Sequence, residues 1–461
     1  MNRVTKRTWL MSLFIFVLLA GMVFFLWEYA TQSHEWVAFS GSPHIYNNTN
    51  IGCGTIYDRT GEVLLDITEE RAYSDNATTR KSTLHWLGDR KGFINAAAVS
   101  TYAGEMAGFD KINGVYASSG AGGQAWLTLS ARVQNTALEA MGNRKGTVGV
   151  YNYKTGEILC AVSTPTYDPD NVPDIEGDTS GAYSGVYLNR FIQSAYTPGS
   201  IYKVVTTAAA LDCVEGIEEM PFTCTGTVEY GSGDNIATVT CEGRHGKVDL
   251  KGALAQSCNC AFAQIAQLVG RKNMQKYVED FLITQPVKFD GITTARGNYD
   301  ITGAGAASFA WSCIGQHTDT VNPARFLTFM GAIASGGQGV RPYLVSTVSY
   351  ADEITYGAES EQEERIMSES VAETLKAYMR NNVKNTYGDG RFPAIEVCGK
   401  SGTSQVGGGE RSNALFAGFA LDERYPLAFV CVVENGGYGA ATCIPILSNV
   451  LWECMAVMDA K

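Results

Sequence analysis

The chain has 461 residues, of which 45% are hydrophobic and 18% are charged, so it can bury a large core and is too long for one ordinary domain. Its 35 Lys and Arg residues are outnumbered by 47 Asp and Glu residues, and basic residues cluster only at the amino terminus. Because nucleic-acid binding depends on positive charge, this balance argues against a nucleic-acid partner.

The first predicted element is an apolar helix near the amino terminus. Residues Thr8 to Trp27 form a run of twenty residues without a charge, which as a helix spans about 30 Å, the hydrocarbon thickness of a bilayer. A cleaved signal peptide is the alternative, but the run is long for one and no Ala-x-Ala site follows it. Arg3, Lys6 and Arg7 precede the run, so the positive-inside rule predicts a single-pass membrane anchor with a cytoplasmic amino terminus and an extracytoplasmic remainder.

Behind the cytoplasmic tip and anchor, residues 1–31, the chain divides into two predicted units. Residues 32–124 are rich in Gly, Ser, Asn and Thr and contain short strand-like pieces, among them a hairpin with its turn at Asp58–Gly61. They predict a small extracytoplasmic amino-terminal domain, a pedestal. Residues 125–461 carry longer helix and strand patterns and predict a second, larger domain.

This second unit has strand patterns at both ends and helix patterns between them. Two early strands joined at Lys154–Gly156 and three late strands after Pro393 are predicted to form one antiparallel sheet. Helices are predicted over Ser200–Asp212, over Val248–Gly270 with a break near Ser257, and at the carboxyl terminus. The predicted fold class is α+β, an antiparallel sheet flanked by helices plus an all-helical half.

The twelve cysteines leave one disulfide open and predict no metal site. Most of them lie in apolar segments, where a free thiol behaves as a small hydrophobe. Cys224 and Cys241 bracket a polar segment, and a bridge between them would stabilise the fold by about 3 kcal/mol. No Cys-x-x-Cys is present and Cys258-x-Cys260 has no histidine pair nearby, so we expect neither a metal nor another cofactor.

The only Ser-x-x-Lys in the chain places Ser200 one helical turn before Lys203. A serine hydroxyl needs a neighbouring base to become a nucleophile, and residues three apart on a helix share a face. The apolar neighbours of Lys203 favour a buried amine with a lowered pKa, which can act as that base. One such match is what chance supplies, so the hypothesis depends on accompanying motifs.

Serine–lysine acyl transferases also need a Ser-x-Asn and a Lys-Thr/Ser-Gly, and the chain has two candidates for each. Ser74–Asn76 lies in the amino-terminal unit and Lys154–Gly156 lies at a strand turn, and both precede Ser200. Ser257–Asn259 lies at the helix break, and Lys400–Gly402 lies in an extended segment where a peptide can approach the backbone. Order and context favour the later pair.

Together the three motifs, in this order behind an anchor, resemble those of the class B penicillin-binding proteins. The similarity runs from about Gly54 and includes GTIYDRTGEVLL, NRFIQSAYTPGSIYK and HGKVDLKGALAQSCN. It implies a peptidoglycan D,D-transpeptidase of the bacterial membrane that cross-links stem peptides through an acyl-enzyme and is acylated by β-lactam antibiotics. It also implies a partner, a membrane glycosyltransferase of the shape, elongation, division and sporulation group.

The same resemblance assigns roles to the motif residues. It implies that Ser200 is the nucleophile, Lys203 the base and Ser257 a proton relay to the leaving amine. It assigns substrate binding to a second set of residues: Asn259, Lys400, Ser401, Gly402 and Thr403. Backbone amides of Ser200 and Thr403 would form the oxyanion hole.

Three other functions share these motifs. A D,D-carboxypeptidase passes the acyl group to water, and groove shape rather than motif decides between the two acceptors. A β-lactamase must hydrolyse its acyl-enzyme, but no segment between Asn259 and Lys400 resembles the glutamate-bearing loop of the class A enzymes. A β-lactam sensor without turnover would not need every motif residue to be present.

Overall fold

The structure, a computed structural model, describes residues 2–37, 46–47, 50–51, 54–68, 70–98, 100–106, 122–231, 236–351, 353–405 and 409–460. Its α-helices in these ranges are α1 (Asn2–Val37), α2 (Ala77–Leu87), α3 (Ala103–Met106), α4 (Ala131–Met141), α5 (Arg190–Gln193), α6 (Lys203–Cys213), α7 (Leu250–Ala255), α8 (Asn259–Asp280), α9 (Ala306–Ile314), α10 (Pro323–Ala334), α11 (Glu369–Asn382) and α12 (Gly439–Asp459). Short 3-10 turns cover Ser100–Tyr102, Gly199–Tyr202, Ile217–Glu219 and Asp389–Arg391, and a π-helical turn covers Val383–Tyr387.

The strands are β1 (Tyr46–Asn47), β2 (Asn50–Ile51), β3 (Thr55–Tyr57), β4 (Val63–Asp66), β5 (Ala72–Tyr73), β6 (Gln124–Leu127), β7 (Gly146–Asn152), β8 (Ile158–Thr164), β9 (Phe222–Cys224), β10 (Thr227–Tyr230), β11 (Ala237–Thr240), β12 (Gly246–Val248), β13 (Lys288–Phe289), β14 (Ile292–Thr293), β15 (Gln338–Val340), β16 (Val345–Tyr350), β17 (Glu353–Gly357), β18 (Gln362–Arg365), β19 (Val397–Ser404), β20 (Asn413–Ala420) and β21 (Leu427–Val433).

The central element is a five-stranded antiparallel sheet in the order β19-β20-β21-β7-β8. α12 and α4 pack against it together, and α10 also packs on β7, β20 and β21. Residues of β7, β8, β20 and β21 are buried throughout, which is why these strands are continuous apolar runs. The predicted sheet, built from strands at both ends of the second unit, is confirmed.

A helical half packs beside the open edge of this sheet. α8 packs against α6 and α9, while α11 packs against α6, α7 and strand β19. Strand β19 is the edge strand, and the 3-10 turn Gly199–Tyr202 lies against it. The helical half therefore meets the sheet where two of the predicted motifs lie.

A second sheet has the order β17-β16-β6-β3-β4-β5. Its β3–β4 hairpin turns at Asp58, as predicted, and the Asp58 carboxylate accepts a hydrogen bond from the Thr60 amide at 2.7 Å. The predicted boundary between residues 124 and 125 falls within β6, which pairs with β3 on one side and β16 on the other. Strands from both predicted units thus share one sheet.

Helix α1 contains a candidate membrane span, Val4–Ser33, which agrees with the predicted apolar anchor. α12 is also long and apolar enough to qualify, but it packs against the five-stranded sheet. Burial of Ile444, Leu447 and Leu451 at the sheet identifies α12 as a core helix.

Candidate active site

Two glycines let the Ser200 turn touch the edge strand. Gly199 has φ of +54°, and a Cβ there would lie 2.5 Å from the Thr403 carbonyl oxygen. Across the same contact, a Cβ on Gly402 would lie 2.7 Å from the Pro198 carbonyl oxygen. Only residues without a side chain permit this approach, so the pair Gly199 and Gly402 sets the distance between Ser200 and β19.

Ser200 lies in a 3-10 turn, whereas Lys203 begins an α-helix. The helix predicted from Ser200 starts as the 3-10 turn Gly199–Tyr202, and α6 begins at Lys203. Ser200 is half-buried, whereas Lys203 is fully buried below it, with its Nζ 5.5 Å from the centre of the Phe262 ring. Burial lowers the pKa of Lys203 well below its ordinary value, and the charge of Lys400 lowers it further.

The Ser-x-Asn motif supplies the hydrogen-bond partners of Lys203. Its Nζ donates to the Ser257 carbonyl at 2.6 Å and to Asn259 Oδ1 at 2.7 Å, and lies 3.1 Å from Ser257 Oγ. Ser257 joins α7 to α8 with φ of 52°, an unusual value for serine that turns its hydroxyl and carbonyl to the same amine. The predicted helix break therefore has a geometric purpose.

Lys400 approaches the same hydroxyl from the sheet. It is buried on β19, and its Nζ lies 3.1 Å from Ser257 Oγ and 2.9 Å from the Ser401 carbonyl. Desolvation by burial lowers the pKa of Lys400 to about 7. The Ser257 hydroxyl thus lies between two lysine amines, each with a depressed pKa.

Tyr387 holds the next residue of β19. Its hydroxyl accepts a hydrogen bond from the Ser401 amide at 3.0 Å and lies 3.0 Å from Ser401 Oγ. Tyr387 ends the π-helical turn after α11. Sequence analysis missed it, since a tyrosine fourteen residues before Ser401 belongs to no motif.

A cleft of about 1030 Å³ opens over these groups. Its floor includes Ser200, Ser257, Asn259, Ser401 and Thr403, while Lys203 and Lys400 lie behind it. Further lining comes from side chains that no motif contains: Trp311, Ile314, Gln316, His317, Arg411 and Tyr438. Five of the predicted site residues therefore line one cleft, Lys203 and Lys400 contact Ser257 of that lining, and Gly402 lies on β19 between the lining residues Ser401 and Thr403.

The two rejected motif matches have structural roles elsewhere. Asn76 caps α2 by accepting hydrogen bonds from the amides of Thr78 and Thr79. Lys154 lies at the turn between β7 and β8 and forms an ion pair with Glu423. Neither match lines the cleft.

The structure resolves the question of the disulfide that the sequence left open. Cys224 and Cys241 are free thiols, so the disulfide left open by the sequence is not formed. With Cys258 and His245 they form a compact group whose potential ligand atoms lie within 4.8 Å of one another. Pairing of short strands, rather than close sequence spacing, brings these four side chains together.

Comparison with known proteins identifies the family. The family model for the penicillin-binding protein transpeptidase domain matches residues 146–451. The chain belongs to this family. Peptidoglycan D,D-transpeptidase PbpA of Mycolicibacterium smegmatis is 30% identical to this penicillin-binding protein over 357 residues, 70% of this chain and 71% of that protein. The predicted class B relationship is confirmed.

Solved structures share the fold of this penicillin-binding protein. A D,D-transpeptidase domain from Eggerthella lenta has a TM-score of 0.75 and 25% identity, covering 89% of this chain and 99% of its own. Penicillin-binding protein A from M. tuberculosis, solved as a ceftriaxone acyl-enzyme, has a TM-score of 0.74 and 24% identity, covering 87% and 98%. The predicted α+β fold class is confirmed.

Proposed function

We propose that this penicillin-binding protein is a peptidoglycan D,D-transpeptidase with Ser200 as its nucleophile. Ser200 Oγ bonds to the carbonyl carbon of the penultimate D-Ala, the peptide C–N bond breaks, and terminal D-Ala leaves with the serine proton. The amine of a second stem peptide then attacks the ester, forms the cross-link and releases Ser200. The observation that carries this proposal is the buried amine of Lys203, three residues after Ser200, which donates hydrogen bonds to both Ser257 and Asn259 of the Ser-x-Asn motif.

Lys203 is the base in this mechanism because its N–H donors are engaged in hydrogen bonds while its lone pair is not. A neutral amine has two N–H donors and one lone pair. The two nearest acceptors of Lys203, the Ser257 carbonyl and Asn259 Oδ1, occupy the donors. The lone pair is then free to take a hydroxyl proton, and its lowered pKa keeps it available.

Ser257 relays the proton to the leaving amine. Its Oγ lies 3.1 Å from the Nζ of Lys203 and 3.1 Å from the Nζ of Lys400. Lys400 as an ammonium group donates to Ser257 Oγ, which leaves the Ser257 proton available to the leaving amine. As the C–N bond breaks, Ser257 gives its proton to the leaving amine and takes one from protonated Lys203, so Lys203 is neutral again.

The substrate is bound between α8 and the edge strand β19. Asn259 contacts its backbone amide, while Lys400 and the hydroxyls of Ser401 and Thr403 bind the terminal carboxylate. The backbone amides of Ser200 and Thr403 form the oxyanion hole. Support for that pair comes from the close approach of Gly199 and Gly402, which sets the two backbones side by side.

The setting of this chemistry is also part of the proposal. α1 is a single-pass anchor with its amino terminus in the cytoplasm, and the predicted pedestal and transpeptidase domain both lie outside the membrane, joined through the sheet that contains β3, β6 and β16. The exposed apolar surface of Val4–Ser33 supports the anchor. A membrane glycosyltransferase of the shape, elongation, division and sporulation group supplies the glycan strands.

Labelling by a fluorescent penicillin tests the nucleophile. We expect one covalent label on the wild-type chain and none on Ser200→Ala, with Ser130→Ala, a buried serine outside the cleft, as the matched control. Incubation with pentapeptide-bearing glycan and a glycosyltransferase, followed by mass spectrometry, then tests the acceptor. Cross-linked dimers support a transpeptidase, trimmed tetrapeptides alone a D,D-carboxypeptidase, and rapid penicillin hydrolysis without a lasting label a β-lactamase.

A further inference from the structure

A second group of chemically reactive side chains adjoins the active site. It consists of Cys224, Cys241, Cys258 and His245, and the proposed reaction uses none of them. Cys224 and Cys258 are buried, whereas Cys241 and His245 are half-buried. We refer to these four residues as the thiol–imidazole cluster.

Strand pairing explains how the cluster forms. Cys224 ends β9, where it pairs with Gly246 of β12, so His245 lies beside it. Cys241 follows β11, whose last residue Thr240 pairs with Thr227 at the start of β10, and its amide donates to the Gly226 carbonyl at 2.9 Å. The β10–β11 hairpin and the β9–β12 strand pair thus bring three ligands to the N-terminus of α8, where Cys258 is the cap residue.

Three distances between ligand atoms of the cluster are close to those that a tetrahedral metal site requires. His245 Nδ1 lies 3.5 Å from the sulfur of Cys224 and 3.5 Å from that of Cys241, and the sulfurs of Cys241 and Cys258 are 4.0 Å apart. Tetrahedral zinc, with bonds of about 2.3 Å to sulfur and about 2.0 Å to nitrogen, requires edges of roughly 3.6 Å between S and N and roughly 3.8 Å between two sulfurs. A disulfide would require sulfurs about 2.0 Å apart.

We propose that the thiol–imidazole cluster binds one zinc ion, with three cysteine thiolates and His245 Nδ1 as its ligands. Three sulfurs and one imidazole are a ligand set typical of closed structural zinc sites. Cys258 caps the N-terminus of α8, and its sulfur accepts a hydrogen bond from the Ala261 amide at 3.4 Å. Such an amide contact orients a ligand sulfur and lowers its charge.

The position of Cys258 connects this site to the chemistry. It lies between Ser257 and Asn259, the two residues that bind the Lys203 amine. The Asn259 side chain also donates to the Thr240 carbonyl at 2.8 Å, one residue before Cys241. A bound ion therefore ties the β10–β11 hairpin to the turn that carries the Ser-x-Asn motif.

A zinc ion in the cluster positions the Ser-x-Asn motif, a role that rests on the proposed function. Ser257 has a left-handed backbone, φ of 52°, that its surroundings must maintain. Zinc bound at the neighbouring residue holds that conformation and keeps Ser257 and Asn259 on Lys203. The cluster residues are positioning residues, since they act through the turn and do not touch the reacting atoms.

Metal content of the full-length chain tests the site. Protein purified in detergent without chelator, from cells grown with zinc, should contain one zinc per chain by plasma mass spectrometry. Cobalt substitution should give a thiolate-to-cobalt charge-transfer band and the visible bands of tetrahedral cobalt. Absence of bound metal from wild-type protein, or a disulfide among the three cysteines in thiol-blocked peptides, would overturn the proposal.

Variants locate the ligands. Cys241→Ser and His245→Ala should each lower the zinc content by about 10-fold or more. Cys213→Ser, which alters a half-buried thiol outside the cluster, should keep the full content. Circular dichroism identifies any variant that has not folded, and the wild-type metal content decides the question even if both ligand variants unfold. Equal zinc in Cys241→Ser and in wild type would contradict the assignment.

Acylation kinetics test the positioning role separately. Zinc-loaded protein should be acylated by fluorescent penicillin about 10-fold faster than protein stripped with a chelator, with recovery on adding zinc back. Equal rates at confirmed zinc loss would refute the positioning role and leave the metal site in place. No labelling of loaded wild-type protein would instead count against the proposed function, while the zinc content still decides the site.

Discussion

Lys203 and Lys400 meet at one hydroxyl group, since the Nζ of each lies 3.1 Å from Ser257 Oγ. Both are buried, and burial lowers the pKa of each. The charge of Lys400 is a further cause of the low pKa of Lys203, so the two amines disfavour being charged together. In the proposed mechanism, Lys203 is the neutral amine that acts as the base and Lys400 is the ammonium group, and both contact the hydroxyl of Ser257.

Replacing Lys203 with Met should abolish acylation while the chain still folds. Met fills the buried space of the lysine stem but has no lone pair of sufficient basicity, so the rate of penicillin acylation should fall by about 1,000-fold. Loss of the amine leaves the Ser257 carbonyl and Asn259 Oδ1 without a donor, at about 1–3 kcal/mol, partly offset by removal of a buried amine.

Stopped-flow labelling and thermal unfolding measure these two effects. Lys154→Met, which removes an exposed lysine from the rejected Lys-Thr-Gly match, is the control and should acylate normally. Penicillin labelling of Lys203→Met at the wild-type rate would show that another group takes the serine proton.

Acylation should fall as pH rises through about 7, the pKa to which burial lowers Lys400. The ammonium form, which donates to Ser257 and attracts the substrate carboxylate, exists below that pKa and is lost above it. The rate constant for acylation by penicillin should therefore drop by about tenfold per pH unit on this limb, until the activity of the neutral form is reached.

A pH series with Lys400→Met identifies the group responsible. This variant should be slow at every pH and lack the descending limb, because no ammonium remains to be lost. Persistence of the limb near pH 7 in Lys400→Met would assign it to a different group.

Much of the fold and of the candidate site can be predicted from the sequence because it depends on short, continuous segments of the chain. The strands β8, β20 and β21 are largely apolar runs, and the Ser-x-x-Lys, Ser-x-Asn and Lys-Ser-Gly motifs each fit within four residues. Their order and surroundings select Ser257 and Lys400 over Ser74 and Lys154. The cleft geometry follows once these short segments are placed on helix α8 and strand β19.

Features that depend on distant pairing are not predictable in the same way. β6 joins β3 and β16, which lie far apart in the chain, so a boundary drawn at residue 124 cuts through a sheet. Tyr387 reaches Ser401 only through the π-helical turn. The thiol–imidazole cluster needs two strand pairs to assemble, and its uneven ligand spacing resembles no common zinc motif.

Gly402→Ala should slow acylation without unfolding the domain. An added Cβ would lie 2.7 Å from the Pro198 carbonyl oxygen, so β19 must move away from the Ser200 turn and widen the oxyanion hole. A misplacement of this kind costs about 100-fold in rate. Gly305→Ala is the control in acylation assays, because a Cβ there meets nothing within 4 Å. Equal acylation rates for the two variants would mean that the close approach does not position the hole.

Tyr387→Phe should weaken the site through its supporting hydrogen bonds. Loss of the hydroxyl leaves the Ser401 amide without the acceptor at 3.0 Å and releases the Ser401 hydroxyl, which binds the substrate carboxylate in our proposal. An unpaired amide costs about 1–3 kcal/mol, so both the midpoint of thermal unfolding and the affinity for penicillin before acylation should fall. Tyr425→Phe, which loses a bond to Asp459 far from the cleft, should lower stability at most and leave penicillin affinity intact. If Tyr387→Phe binds and reacts as the wild type does, Tyr387 supports the fold alone and Ser401 orients itself without it.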